Sequence, residues 1–226
     1  QTVLYHQPSH KIISALSQSA RFFNQDEIVQ FKNDSLSIKN INLEDLFSIS
    51  DVIKYELWLN KTDIIAKTKQ NEVFFIDKHK KIWNQFSYVV NYEIDKLSEK
   101  ILVITSEKKD NVNTFNLFYV DGSLKQTIKI GSFTTQPQVL NWGNNNNRFL
   151  IRVDNKVYWY KSPTSTPIIT TLPLQVGQTF KLTKTFISHD DELVYFIYYT
   201  FDEKKQKKKG EVEIWKSNDL HLEDKN

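Results

Sequence analysis

Two histidines four residues apart, His6 and His10, are the first groups along the chain able to do chemistry. That spacing puts both imidazoles on one face only in a helix, and a metal site would need a third ligand as well. No Glu completes a metalloprotease signature, so the expectation is a flexible N-terminal segment with two exposed imidazoles. His189, Asp190 and Asp191 bring an imidazole next to two carboxylates, the ingredients of acid–base catalysis. They fall between two apolar runs, however, and predict a hairpin turn in which the Asp side chains accept nearby backbone N–H groups. Asp34, Asp63, Asp110 and Asp154 are read in the same way, each at a strand junction. There is no Cys, which excludes thiolate zinc sites, disulfides and a Cys nucleophile. No catalytic, cofactor-binding or metal-binding residue is assigned from the sequence.

The sharpest charge feature is Lys204, Lys205, Lys207, Lys208 and Lys209, closed by Gly210. Clustered lysines raise the local anion concentration, which suits a polyanion or a membrane surface. Asp202, Glu203, Glu211 and Glu213 flank the run and offset its field, so a solvated hairpin tip that discourages edge pairing is the expected role. Trp58, Trp83, Trp142, Trp159 and Trp215 raise the alternatives of a sugar platform or a peptide groove. Aromatics at strand positions usually pack between sheets, and alternation in residues 157–160 and 212–215 sends successive side chains to opposite faces.

The elements that would position these groups recur. Segments 36–40, 73–77, 116–121, 157–161 and 212–216 are apolar or alternating, and their starts lie roughly 37, 43, 41 and 55 residues apart, the range of a four-stranded propeller blade. Each is preceded by a second apolar segment, at 27–32, 63–67, 100–105, 148–153 and 193–199. A lone four-stranded sheet cannot bury both faces, so such units must stack. The expected fold is all-β, a β-propeller of about five recognisable four-stranded blades, whole or partial, over residues 21–226. Residues 1–20 are the least patterned and are expected to form a lead-in or closing strand. A polar turn is expected over residues 106–113, and Asp121-Gly122 between two alternating segments predicts a short hairpin. Residues 43–47 read as one turn of helix or as a fourth strand.

At 226 residues the chain can bury a core without a disulfide or metal staple. Its 30 basic and 27 acidic side chains leave a net charge of +3, interspersed rather than concentrated, which argues against a nucleic-acid binder. No run approaches the roughly 18–20 apolar residues of a membrane helix. Gln1 is not a start Met, so the chain is read as a mature secreted or periplasmic protein, or as an excised domain.

Residues 186–196, with Ser188-His-Asp-Asp191 between two strands, resemble the acidic strand–turn–strand step of TolB-like and prolyl-oligopeptidase-type propellers. Residues 210–219, with Val212-Glu-Ile-Trp215 followed by Asp219, resemble a segment of bacterial prolyl-oligopeptidase-family serine peptidases. In that family the triad sits on an α/β-hydrolase domain after the propeller, its serine in a Gly-x-Ser-x-Gly elbow. No two of the five glycines, Gly122, Gly131, Gly143, Gly177 and Gly210, stand four apart, so the elbow is absent. The resemblance therefore implies a non-catalytic module that gates peptide substrates for a C-terminal hydrolase domain supplied elsewhere. The alternative is a stand-alone scaffold for a protein partner. Neither reading implies a cofactor.

Overall fold

A computed structural model of the chain describes residues 2–16, 19–59, 62–95, 98–143, 147–172, 178–188, 190, 193–202 and 208–216. Among them every regular element is a strand. The chain forms two compact units, Gln1–Val90 and Asn91–Asn226.

The first unit opens with a hairpin of β1 (Thr2–His6) and β2 (Lys11–Leu16). Two four-stranded antiparallel meanders follow in chain order. One is β3 (Arg21–Phe22), β4 (Glu27–Lys32), β5 (Ser35–Asn40) and β6 (Asp45–Ile49). The next is β7 (Val52–Trp58), β8 (Asp63–Thr68), β9 (Val73–Ile76) and β10 (Ile82–Phe86). Residues 43–47 therefore run into a fourth strand, not a helical turn.

The sheet that carries over into the second unit consists of β11 (Val89–Asp95), β12 (Lys100–Lys109), β13 (Val112–Asp121) and β14 (Gln126–Phe133). It is followed by β15 (Gln138–Trp142), β16 (Phe149–Val153), β17 (Lys156–Tyr160) and β18 (Ile168–Thr171). The last sheet has three strands among the described residues: β19 (Gln178–Ile187), β20 (Leu193–Asp202) and β21 (Lys208–Lys216).

Within each unit the sheets stack by alternation. Successive strand residues point to opposite faces, so one strand serves two interfaces. On β16, Phe149, Ile151 and Val153 join Leu102, Ile104 and Leu117 of the preceding sheet. Leu150, between them, joins Val194 and Phe196 of the following sheet. In the first unit Val29, Leu36 and Ile38 pack against Ile64, Ala66 and Ile76 in the same manner. The hairpin lies on the other face of β4, where Ile13 and Ala20 meet Ile28.

A backbone latch repeats where the chain leaves a sheet. The N–H of Val52 donates to the Asp34 carbonyl at 2.9 Å, Val89 to Asn71 at 2.7 Å, and Leu172 to Asn155 at 2.7 Å. In each case the acceptor lies in the turn between the sheet's second and third strands. Four strands return the chain to the end at which it entered, so that turn and the exit share a rim. The turns hold Asn or Asp in the left-handed region, with φ of 58° at Asp34, 59° at Asn71 and 54° at Asp154. These residue types tolerate that conformation because a short polar side chain can bond locally.

Two local expectations are corrected. The polar stretch 106–113 is mostly strand: β12 and β13 pair continuously to Lys109↔Val112, leaving only Asp110 and Asn111 as the turn. Asp121-Gly122 does not make a two-residue hairpin. Asp121 pairs with Gln126, and residues 122–125 form a longer turn around the Asp121 carboxylate. Residues 11–16, unpatterned in sequence, form β2 of a paired hairpin.

Candidate functional site

In each of the first three meanders, at the end away from the turn between the second and third strands, the start of the second strand lies beside the end of the third. These positions are Glu27↔Asn40 in the first sheet and Lys100↔Asp121 in the third, while Asp63 and Asp77 flank the Ile64↔Ile76 pair in the second. An Asx side chain then organises the turn. Asn40 Oδ1 accepts the N–H groups of Asn42 and Glu44, and Asp77 Oδ1 accepts those of His79 and Lys81. Asp121 Oδ1 accepts the Ser123 hydroxyl at 2.6 Å and the Leu124 N–H at 3.2 Å.

The third sheet carries the densest buried polar group at this end. Lys100 Nζ lies 2.5 Å from Asp121 Oδ2, with about a tenth of either side chain exposed. Asp95 accepts the Ser98 hydroxyl, and both residues are buried. Tyr119 donates its hydroxyl to Asn147 Oδ1 at 2.8 Å. Burial, followed by the charges of Asp121 and Asp95, pushes the Tyr119 phenol well above its ordinary range, so it stays a donor. Burial alone would raise the Asp121 carboxyl; hydrogen bonds from Lys100, Ser123 and the Leu124 N–H, with the Lys100 charge, outweigh it and hold the pKa below the usual value. The Lys100–Asp121 ion pair joins the start of β12 to the turn that follows β13. The cluster fixes turns.

The sequence candidates are dispersed. His6 is not exposed as expected: it is 3% exposed, its Nδ1 faces Ser9 Oγ at 2.5 Å, and its Nε2 lies 3.3 Å from Asp26 Oδ1. The cause is the hairpin, whose inward face carries it toward Phe22. His10 faces the Tyr5 hydroxyl at 2.8 Å, so the two imidazoles do not converge. His189 and Asp191 lie outside the described residues, and Asp190 accepts the Ser188 hydroxyl. Asp34, Asp110 and Asp154 occupy turns, and Asp63 is buried at the start of β8. Lys204, Lys205 and Lys207 lie outside the described residues, as do the side chains of Lys208, Lys209 and Trp215.

Trp58 and Trp159 are buried, and Trp83 and Trp142 half-buried. Trp58 stacks on Trp83 at 6.4 Å and meets Phe75 edge-on at 5.6 Å, while Trp142 packs on Phe149 at 5.9 Å. The four indole nitrogens are buried within the packing, so these rings fill apolar packing and do not form an open sugar platform. Among the described residues no group of three or more His, Cys, Asp or Glu could hold a metal, and no helix is long and apolar enough to cross a membrane.

The feature best shaped to receive a partner was not found in the sequence. The edge strands β15 and β19 run side by side without backbone pairing, joined by side chains: Asn141 Nδ2 donates to the Thr185 carbonyl at 3.1 Å, and Thr185 Oγ1 donates to the Leu140 carbonyl at 3.2 Å. Between them lies a groove of about 330 Å³ lined by Gln138, Leu140, Asn141, Lys184 and Phe186. Phe186 is 47% exposed there. Unpaired strand edges offer backbone donors and acceptors to an extended chain.

The sheets define the class of the protein: all-β, of the partial β-propeller type, with successive four-stranded meanders as blades. No family model and no curated protein matches the sequence. Among solved structures the chain is similar to the β-propeller domain of Cps50 (Swd1) from Myceliophteria thermophila, at 9% identity and TM-score 0.43, covering 85% of this chain and 67% of that one. KlHsv2 with loop 6CD replaced by a Gly-Ser linker gives 9% identity and TM-score 0.40, with coverage of 91% and 75%. An oligogalacturonate lyase in complex with manganese gives 9% identity and TM-score 0.48, with coverage of 81% and 61%. Likenesses this remote concern the fold alone.

Proposed function

We propose that the chain is a non-catalytic propeller module that binds an extended polypeptide along the β15–β19 groove, and that it serves as the substrate-gating part of a secreted or periplasmic prolyl-oligopeptidase-like peptidase. The observation that carries the binding reading is the pair of inner edges that, among the described residues, Asn141 and Thr185 bridge through side chains. A peptide strand adding there would satisfy edge backbone groups, with an apolar side chain on Phe186 and an acidic one near Lys184. The motivation for the gating role is the resemblance of residues 186–196 and 210–219 to that family.

Binding of fluorescein-labelled extended peptides, followed by anisotropy, tests the groove. Thr185→Val and Phe186→Ala should each weaken a peptide bearing one aromatic and one acidic side chain by about tenfold, equivalent to roughly 1.4 kcal/mol. Equal binding by wild type and both variants would remove the groove from the reading. The gating role has a separate test: a parent polypeptide lacking any hydrolase domain would leave the alternative, a scaffold for a protein partner. The β12–β13 hairpin favours that alternative, because its outer pairs, Glu107↔Thr114 to Lys109↔Val112, are almost wholly exposed.

A further inference from the structure

The first meander breaks the pattern of the other sheets on one face. Along β4 and β5 that face pairs Ile28↔Lys39, Gln30↔Ser37 and Lys32↔Ser35, and Ser37 continues to Ser48 on β6. The matching cross-strand pairs are Ile64↔Ile76 and Ala66↔Phe74 in the second meander, Ile101↔Val120 and Val103↔Phe118 in the third, and Phe149↔Tyr160 and Ile151↔Tyr158 in the fourth. Gln30 thus stands where the others have Ala, Val or Ile. Ser37 replaces an aromatic ring, and Lys39 replaces Ile, Val or Tyr. A dry sheet stacked on these positions would strand an amide, hydroxyls and an ammonium in apolar surroundings, each an unpaired polar group that costs stability. Among the described residues, Ile13 of the hairpin and Ala20 after it pack on the Ile28 end. Beyond it lies a trough of about 520 Å³, lined by Gln30, Lys32, Ser35, Ser37, Lys39, Asp45 and Ser48, with Leu43 its one apolar lining residue among those described.

The geometry points to a binding site for a monoanionic saccharide, a uronic acid, on this trough. Rows of polar groups stand about 5 Å apart across strands and about 7 Å apart along them, a grid suited to the hydroxyls of a pyranose. Gln30 is 9% exposed and sits at the floor of the trough. Lys39 is matched by Asp45 at 2.6 Å, and among the described residues Lys32 has no carboxylate within ion-pair distance; two ammonium groups against one carboxylate leave a single positive charge. That charge complements a carboxylate better than a phosphate, which carries about −1.5 to −2. The proposal involves unit Gln1–Val90 alone and is independent of the β15–β19 groove.

Calorimetry of the intact chain with glucuronate, glucose, acetate and glucose 6-phosphate tests it. Glucuronate should bind at least about tenfold more tightly than glucose or acetate, since both the charge and the hydroxyls are read. Lys32→Gln should weaken it about tenfold. The double substitution Gln30→Val and Ser37→Val should abolish binding without lowering Tm, because the matching positions elsewhere are apolar. Tighter binding of acetate or of glucose 6-phosphate, no heat with glucuronate, or retained affinity in a folded double variant would each overturn the assignment.

Discussion

Lys100, the first residue of β12, and Asp121, the last of β13, face each other across the strand pair with Nζ and Oδ2 2.5 Å apart. The pair ties the two turns at this end of the sheet together, because Asp121 also holds Ser123 and the Leu124 N–H. Its folded pKa lies below the ordinary 3.8. A depressed carboxyl contributes stability that is present above the unfolded value and is lost as pH falls through the folded one. Urea unfolding between pH 7 and pH 2 should therefore show a loss below about pH 4 that is smaller in Asp121→Asn. At pH 7 that variant should be less stable by about 2–3 kcal/mol, the scale of a hydrogen bond to a charged group. An unchanged midpoint at pH 7 would show the pair to be solvent-screened.

Alkali should act through the buried phenols. Tyr160 is pushed up to about 12, by burial first and by Tyr158 second, and its ring stacks on Phe149 at 4.8 Å. A phenol with a raised folded pKa stabilises fully below the unfolded value of 10.0 and loses that contribution as pH rises toward the folded value. Tyr119 shifts in the same direction. Unfolding should set in above pH 10, and absorbance at the tyrosinate band should show Tyr119 and Tyr160 ionising together as the fold opens. Tyr160→Phe should delay that unfolding.

The latch turns give a conformational prediction. Asn71 has φ 59° and its carbonyl accepts the Val89 N–H at 2.7 Å. Asn71→Gly keeps both the conformation and the bond, and stability should stay within about 0.5 kcal/mol. Asn71→Val forces a β-branched residue into the left-handed region, at a cost of about 1–2 kcal/mol. Parallel denaturant melts of the two variants check the difference in sign and size.

Much of the fold was legible because the repeat is written in alternation and in Asx turns. Asn40, Asp77 and Asp121 end three of the recurring segments, and each organises the turn that follows. What stayed hidden has physical reasons. Residues 106–109 and 112–113 read as a loop because a strand extended into solvent needs no apolar partner, so polarity masked the pairing. The first hairpin was unreadable because Ile12 and Ile13 are adjacent apolar residues on opposite faces, one 67% exposed and the other 2%. The groove joins Asn141 to Thr185, 44 residues apart, and no local pattern announces such a contact. The trough residues were overlooked for the opposite reason. Ser, Lys and Gln alternating with Leu and Ile look like any solvent-facing strand until their register is compared with the other sheets.

Gly131 offers a final check on strand geometry. It pairs with Leu117 beside an irregularity, since the next pair is Phe118↔Lys129 and one β14 residue is left over. A glycine at a bulge often signals a left-handed backbone, and in that case alanine would be strained. Here no such φ is found, and an added Cβ would meet only Phe133 ring carbons at 3.5 Å, an ordinary contact. The glycine is thus needed neither for conformation nor for space. Replacing it restricts the unfolded chain more than the folded one, so Gly131→Ala should stabilise by about 0.4–1 kcal/mol. A thermal melt showing a drop in Tm would mean that β14 uses a backbone conformation there that only glycine can supply.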